Sequence, residues 1–376
     1  MRIYLDHNAS APLRAEARAA LVEALDVVGN PSSAHREGAR ARSLVERARG
    51  EVAALVGATP AEIVFTSGAT EANNLALRGA CDLRAGGLVT TAVEHASILA
   101  TGHALHGTVV TVGVDPAGRV SVADVVAACG TNTGIVSVGL ANGEVGAIAP
   151  VGAIVQALAG KSLLVHSDAA QAAGRIPIDV RTLGVDLLSL SGHKLGGPTG
   201  VGALFVRRGL PLTPMPTGGA HERGRRAGTE NLLGIVGFGA AARAARIELD
   251  VAARHTAALC DRLWSGLHAA LPDVVRNGPV EGPRLPNTLN VTVPGVAGES
   301  LLVLLDLDGV AASLGSACAA GGPEPSHVLR AMGRSEADAR AGLRLSLGPT
   351  TTADEIDRVV SLLPRLVAQV RAGRAA

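Results

Sequence analysis

The apolar run "SLLVHSD" closes on Asp168, and the next such run, "DLLSLSG", is followed at once by His193 and Lys194. A carboxylate held at the end of a buried strand costs desolvation free energy unless a cation neutralises it. An aspartate that caps the following helix gives the same pattern, and both readings stand at this stage. A lysine in a glycine-rich, otherwise apolar segment loses hydration of its ammonium, which lowers its pKa and suits it to Schiff-base chemistry. Surface lysines are commoner, yet the lysines of this chain are only Lys161 and Lys194, its other cations being arginines. "TSGATEANN" brings Gly68, Ala69 and Thr70 to a helix start, where unpaired N–H groups attract an anion; an ordinary helix cap reads alike. "TTAVEHASIL" places His95 at a strand end, "GLANGEVG" offers Asn142 and Glu144, and Gln171 lies one helical turn beyond Asp168. An acid for a pyridinium nitrogen, a lysine for an imine and an anion cradle together describe a pyridoxal phosphate site.

The elements that must position these residues are legible in the hydrophobic pattern. Short apolar runs at 62–68, 88–93, 108–114, 135–141, 162–168, 186–192 and 201–207 alternate with stretches of helical spacing. Continuous apolar strands separated by helices predict a largely parallel sheet covered on both faces. In such sheets ligands bind at the carboxyl ends of the strands, where the residues above fall. After Gly239 the texture changes to an Ala/Arg-rich helix over 240–271. Strands at 287–293 and 341–348 follow, then a last helix opened by the capping box Thr352-x-x-Glu355. We expect a large domain over 15–247 and a smaller α+β domain built from 1–14 and 248–376.

Bulk composition narrows the function. Of 376 residues 47% are hydrophobic, and the formal net charge is +1, so no basic surface for nucleic acid is foreseen. Aromatics are scarce, which leaves Ala, Val, Leu and Ile to build the core. No apolar stretch reaches a membrane span, and "MRIYLDHNASAPL" has no signal-like apolar core. Cys81, Cys129, Cys260 and Cys318 are too scattered for structural zinc, and no metal site is expected. A cytoplasmic protein with reduced thiols is the expectation. Cys81, Cys129 and Cys260 read as small hydrophobes in helical surroundings. Cys318 differs, because "LGSA" before it and "AAGG" after it are too small to bury a thiol; the segment of about 314–326 reads as a loop that leaves it reachable.

The chain resembles the cysteine desulfurases, pyridoxal phosphate enzymes of fold type I. Within them it is similar to the nitrogen-fixation and iron–sulfur-cluster assembly subgroup with a long catalytic-cysteine loop. The resemblance is carried, in order, by "YLDHNASAP", "GNPSSAHREGARA", "FTSGATEANNLAL", "EHASIL", "HSDAAQAAGRIPID", "SGHKLGGPTGVGAL", "RRAGTEN", "GSACAAGGPEPSHVLRAMG" and "LRLSLG". It covers nearly the whole chain.

That resemblance implies an α/β fold whose large domain holds a mostly parallel seven-stranded sheet covered by helices. It implies that Lys194 binds the cofactor covalently and later acts as a base, that Asp168 pairs with the ring nitrogen and that Gln171 serves the phenolic oxygen. His95 would stack on the ring and take the thiol proton of Cys318. Ala69, Thr70, Ser191 and His193 would hold the phosphate, and Asn142 would touch the cofactor. Thr229 would reach the phosphate of the other subunit, which implies a homodimer. Arg344 would clamp the substrate carboxylate, a bidentate task suited to a guanidinium, with Asn8 and Asn30 as helpers. L-cysteine is then the substrate and L-alanine the product. A persulfide on Cys318 would pass its sulfur to an acceptor protein, for iron–sulfur cluster assembly or another thiolation. Selenocysteine lyase and other class V enzymes share the scaffold, but transamination needs no nucleophilic thiol. Gly143 stands where a second asparagine is usual, and His221 where a glutamine is usual.

Overall fold

The computed structural model describes residues 2–81, 86–105, 107–315 and 324–374, so Cys318 and the middle of its expected loop lie outside the described residues. The central sheet has seven strands in the order Ile63–Thr66, Gly202–Val206, Leu187–Ser191, Leu164–Asp168, Thr133–Ser137, Gly87–Thr91, Val109–Val112. The pairings are parallel except the two made by Gly202–Val206, which runs against both its neighbours. A short connection explains the reversal. Between Leu187–Ser191 and Gly202–Val206 there is only the 3-10 turn His193–Leu195, too little chain for a crossover helix, so the strand must return antiparallel. Lys194 sits in that turn. The run expected at 135–141 forms the strand Thr133–Ser137 instead, and the Gly139 N–H turns to the Glu94 carboxylate (3.0 Å).

Helices cover the sheet through narrow apolar faces. The helix Ala69–Cys81 presents Ala72, Leu75, Ala76 and Ala80, all fully buried, at the spacing of one helical stripe. Its N-terminus is thereby fixed at the end of Ile63–Thr66. Arg49 and Glu222 form a buried bidentate pair (2.7 and 2.9 Å), and Glu222 also accepts the Phe65 N–H (2.9 Å). This ties the loop carrying "RRAGTEN" to the same strand.

The long helix Leu232–Ala270 starts earlier than the 240 expected, capped by Asn231, whose side chain accepts the Gly234 N–H (3.1 Å). It serves two apolar cores. Ile235, Phe238, Ala241 and Ala242 pack in the core of the large sheet. Leu259, Cys260, Leu263 and Leu267 pack in a second core with Leu289, Val291, Leu343, Leu345 and Ile356. That second core backs the antiparallel sheet Gly342–Ser346, Thr288–Thr292, Val275–Asn277. The strand Ile3–Tyr4 pairs with Val310–Ala311, which delivers Asp6 to Ser10 beside the Lys194 turn. We propose that the two cores mark two domains, divided at 247/248. Among the described residues no helix is long and apolar enough to cross a membrane.

Two buried histidines predict how stability responds to acid. His166 is fully buried between Ser137 Oγ and Ser189 Oγ (2.9 Å each), and burial pushes it down to about 4 although Asp168 pulls the other way. His7 is pushed to about 4 by burial and by Arg175. The unfolded chain takes up these protons near pH 6.5 and the folded chain only near 4, so both contributions are complete above 6.5. Below it, stability should fall by about 1.4 kcal/mol per pH unit for each histidine until pH 4. Urea midpoints measured across this range should show this dependence, and His166→Gln should remove one histidine's share, about 1.4 kcal/mol per pH unit. An unchanged slope in that variant contradicts the assignment.

Candidate active site

A cavity of about 570 Å³ opens at the carboxyl ends of the parallel strands. Lys194 and Asp168 both line it, the first just past Leu187–Ser191 and the second closing the adjacent strand. Lys194 Nζ donates to the backbone carbonyls of Asn8 and of Ala9, the latter at 2.9 Å. Asp168 satisfies both sequence readings at once. One oxygen caps the next turn through the Ala170 N–H (2.9 Å), and the other accepts from Asn73 Nδ2 (2.7 Å).

Asn73 links this carboxylate to His95. The same Nδ2 donates to Ser97 Oγ (2.9 Å), which lies 2.8 Å from His95 Nδ1. The Ser97 backbone N–H also points at Nδ1 (3.1 Å), and a backbone N–H can only donate. The lone pair of His95 is therefore on Nδ1, and the proton of the neutral ring is on Nε2. Burial holds the ring below the ordinary histidine range; Asp168 opposes this, while Lys194 and His327 add to it. His327, also in the cavity wall, is the same tautomer held by its other end: its Nε2–H donates to the Glu94 carbonyl (3.0 Å), which leaves the lone pair on Nδ1 as the end not held there. The Glu94 carboxyl accepts from Thr91 Oγ1 (2.6 Å) and the Gly139 N–H. Burial, with Asp168 adding, pushes it up to about 7.

The expected anion cradle lies at the N-terminus of Ala69–Cys81, where Ala69 and Thr70 line the cavity with Ser191 and His193. Gly202 must be glycine here: a Cβ would fall 2.6 Å from Gly68 Cα, pushing the turn off the strand that backs it. Glu71 in the first helical turn would repel an anion, but Arg226 neutralises it (2.8 Å). Burial, then Lys194 and Arg175, push His193 to about 4, which leaves it neutral at pH 7 among these neighbours.

At the opposite wall Arg344 is buried, 4% exposed, and already engaged. It pairs with Asp6 Oδ1 (2.7 Å) and donates to the Gly315 carbonyl (2.7 Å). Asp6 was not foreseen, because nothing in its sequence surroundings marks it as the partner of a residue near the other end of the chain. Two expectations are corrected. Asn8 cannot hold substrate with its amide, which is consumed by Gly143 O and Thr288 Oγ1 (2.8 Å each) and by Asn287 (3.0 Å); it contributes its carbonyl to Lys194 instead. Asn30 is exposed on a turn, accepts the Ser32 N–H (2.8 Å) and does not line the cavity.

Asn142 lines the cavity, but its Oδ1 accepts the N–H groups of Glu144 and Val145 (2.9 and 3.0 Å) and its Nδ2 donates to Val93 O (3.0 Å). Its role in the turn is thus as strong as any toward a ligand. Gly143 clears space for Gln171, since a Cβ there would lie 2.5 Å from the Gln171 amide. Thr229 is exposed and does not line this cavity. Cys129 and Cys260 are buried, and burial raises both thiols, Cys260 to about 12. Neither can supply a thiolate. Among the described residues no His, Cys, Asp and Glu side chains cluster as a metal site would need.

Asn73 had a signal in the sequence that went unused: helical phase puts it beside Ala72 and Ala76 on the sheet-facing side. Ser97, Arg175 and His327 had none beyond lying near motif residues.

The family description Aminotransferase class-V matches residues 3–359. A cysteine desulfurase of Trichormus azollae is 42% identical over 376 residues, which span 98% of this chain and 94% of that relative. Among solved structures, a NifS-like protein matches with TM-score 0.92 and 35% identity, over 98% of this chain and 100% of that one. SspA, solved in complex with cysteine, matches with TM-score 0.81 and 33% identity, over 94% and 100%.

Proposed function

The chain belongs to the class-V aminotransferase family and, within it, to the cysteine desulfurases, and on that premise we propose that it works through pyridoxal phosphate and carries the sulfur on Cys318. The observation that supports this most is the meeting of Lys194 and Asp168, at adjacent strand ends, with His95 in one cavity.

The residues suit that cofactor. The cavity, about 570 Å³, is of the size usual for small-molecule sites. Asp168 offers a carboxylate for the ring nitrogen and Lys194 an amine. Gln171 offers an amide N–H for the phenolic oxygen. The turn from Ser67 to Thr70, with Ser191 and His193, offers donors to a phosphate. When bound, the cofactor supplies an electron sink for bonds breaking at the substrate carbon.

Lys194 would hold the cofactor covalently and, as a free amine, would remove the Cα proton of the substrate. Arg344, its plane set by Asp6 and Gly315, holds the carboxylate of L-cysteine. The thiolate of Cys318 attacks the substrate sulfur. The carbon–sulfur bond breaks, the carbon leaves as alanine after reprotonation, and Cys318 keeps the sulfur as a persulfide. His95 would lie against the cofactor ring and, in the tautomer imposed by Ser97, carries its proton on Nε2. The thiol-proton role expected of His95 passes to His327, whose Nδ1 carries a lone pair. His327→Phe should slow turnover about 100-fold at pH 7. The rate should recover above about pH 9, where a thiol ionises unaided. A loss of equal size at every pH would give His327 a purely structural part.

The working unit is a homodimer, with Thr229 reaching the partner's phosphate, and the sulfur goes on to an acceptor protein. The test is purification with pyridoxal phosphate, then addition of L-cysteine and a reductant. A yellow protein yielding alanine and sulfide in equal amounts supports the proposal. No chromophore, or alanine without matching sulfide, overturns it.

A further inference from the structure

Among the described residues Arg175 is a guanidinium without an acid. It follows Gly174 on the turn after Asp168, and its side chain folds back beneath Gln171. Nη1 donates to the Gln171 backbone carbonyl (2.8 Å) and to Gln171 Oε1, and Nη2 donates to the His7 carbonyl (3.2 Å). Among the described residues no carboxylate forms an ion pair with it, whereas buried Arg49 has Glu222 and buried Arg344 has Asp6. Burial and the neighbouring Arg344 push it down to about 9, which leaves it charged at neutral pH. A half-buried charge with no carboxylate partner is still a cost, so its retention calls for a reason.

The reason lies in what a guanidinium cannot do. It has five donors and no acceptor, so the amide atom of Gln171 facing it must be the oxygen. The amide nitrogen then faces the Asn8 carbonyl (3.0 Å), which uses one of its two N–H groups. The other N–H is uncommitted, and the oxygen is held toward Arg175. The flipped amide would set N–H against N–H at Arg175 and oxygen against oxygen at Asn8. Shape does not distinguish the two orientations; the donor chemistry of Arg175 does. The missing side chain at Gly143 leaves the room in which this amide sits.

We propose that Arg175 is a positioning residue: it locks the Gln171 amide so that only an N–H can face the phenolic oxygen of bound pyridoxal phosphate. This rests on the cofactor reading above. The step is one of orientation and involves no transfer of atoms.

The test is a double-mutant cycle read by cofactor binding instead of turnover. Cofactor-free wild type, R175M, Q171A and the double variant are titrated with pyridoxal phosphate, following absorbance. R175M should weaken binding about tenfold, roughly the worth of a hydrogen bond made or opposed. It should also shift the absorption maximum in the same direction as Q171A. In the Q171A background the second change should cost less than about twofold, because there is no amide left to orient. R175K, also a donor without an acceptor, should stay within about threefold of wild type and serves if R175M does not fold. Equal losses with and without Gln171, unchanged binding in R175M, or R175K binding as poorly as Q171A would each overturn the assignment. A wild type that binds no pyridoxal phosphate would instead overturn the cofactor reading itself.

Discussion

Lys194→Ala is expected to lower alanine formation from L-cysteine by about 1000-fold or more, since one amine both anchors the cofactor and moves the Cα proton. The variant should nevertheless fold. Removing the amine leaves the Ala9 carbonyl without this donor, but the Asn8 carbonyl keeps the Gln171 N–H (3.0 Å). One unsatisfied carbonyl costs about 1–3 kcal/mol, small beside the two apolar cores. Thermal unfolding should therefore shift by only a few degrees, while the visible absorption of covalently bound cofactor disappears. Lys194→Arg sharpens the comparison, because it keeps a cation near Asn8 and Ala9 yet supplies no nucleophile at neutral pH. Activity within tenfold of wild type in either variant would remove Lys194 from the chemistry.

Cys318→Ala should abolish sulfide release while leaving the first half of the reaction intact. Lys194, Asp168 and Arg344 remain, so L-cysteine should still change the cofactor spectrum at the same concentration. Sulfide and alanine formation should both fall by about 100-fold or more, because the carbon–sulfur bond has lost its nucleophile. No other described thiol can substitute. Cys129 and Cys260 are buried, and burial raises both above the ordinary thiol range. Cys81→Ala is the control and should keep the wild-type rate. A Cys318→Ala protein that makes sulfide normally would place the sulfur-accepting group elsewhere.

Asp168 and Lys194 were legible because each ends an apolar run, and a polar residue there is an expense that local sequence cannot hide. The sheet was legible for a related reason, continuous apolar runs alternating with helical spacing. The direction of Gly202–Val206 was not, because a buried run reads alike in either direction; its reversal follows from the short connection through Lys194. Asn8 and Asn30 show the same limit in the site. Both are asparagines in motifs of the resemblance, yet one is buried with its amide consumed and the other lies exposed on a turn. Asp6 and Arg344 pair across nearly the whole chain, a contact made where Asp6 bridges Ser346, two residues from Arg344, and invisible without it. The tautomers of His95 and His327 depend on which atoms surround each ring, and no residue pattern encodes that.

The central claim is that sulfur leaves L-cysteine onto Cys318, and the most direct measurement is the mass of the Cys318 peptide after one turnover without reductant. We predict a gain of one sulfur atom on that peptide alone, matched by one alanine released per chain. Alanine release with an unmodified Cys318 peptide would contradict it.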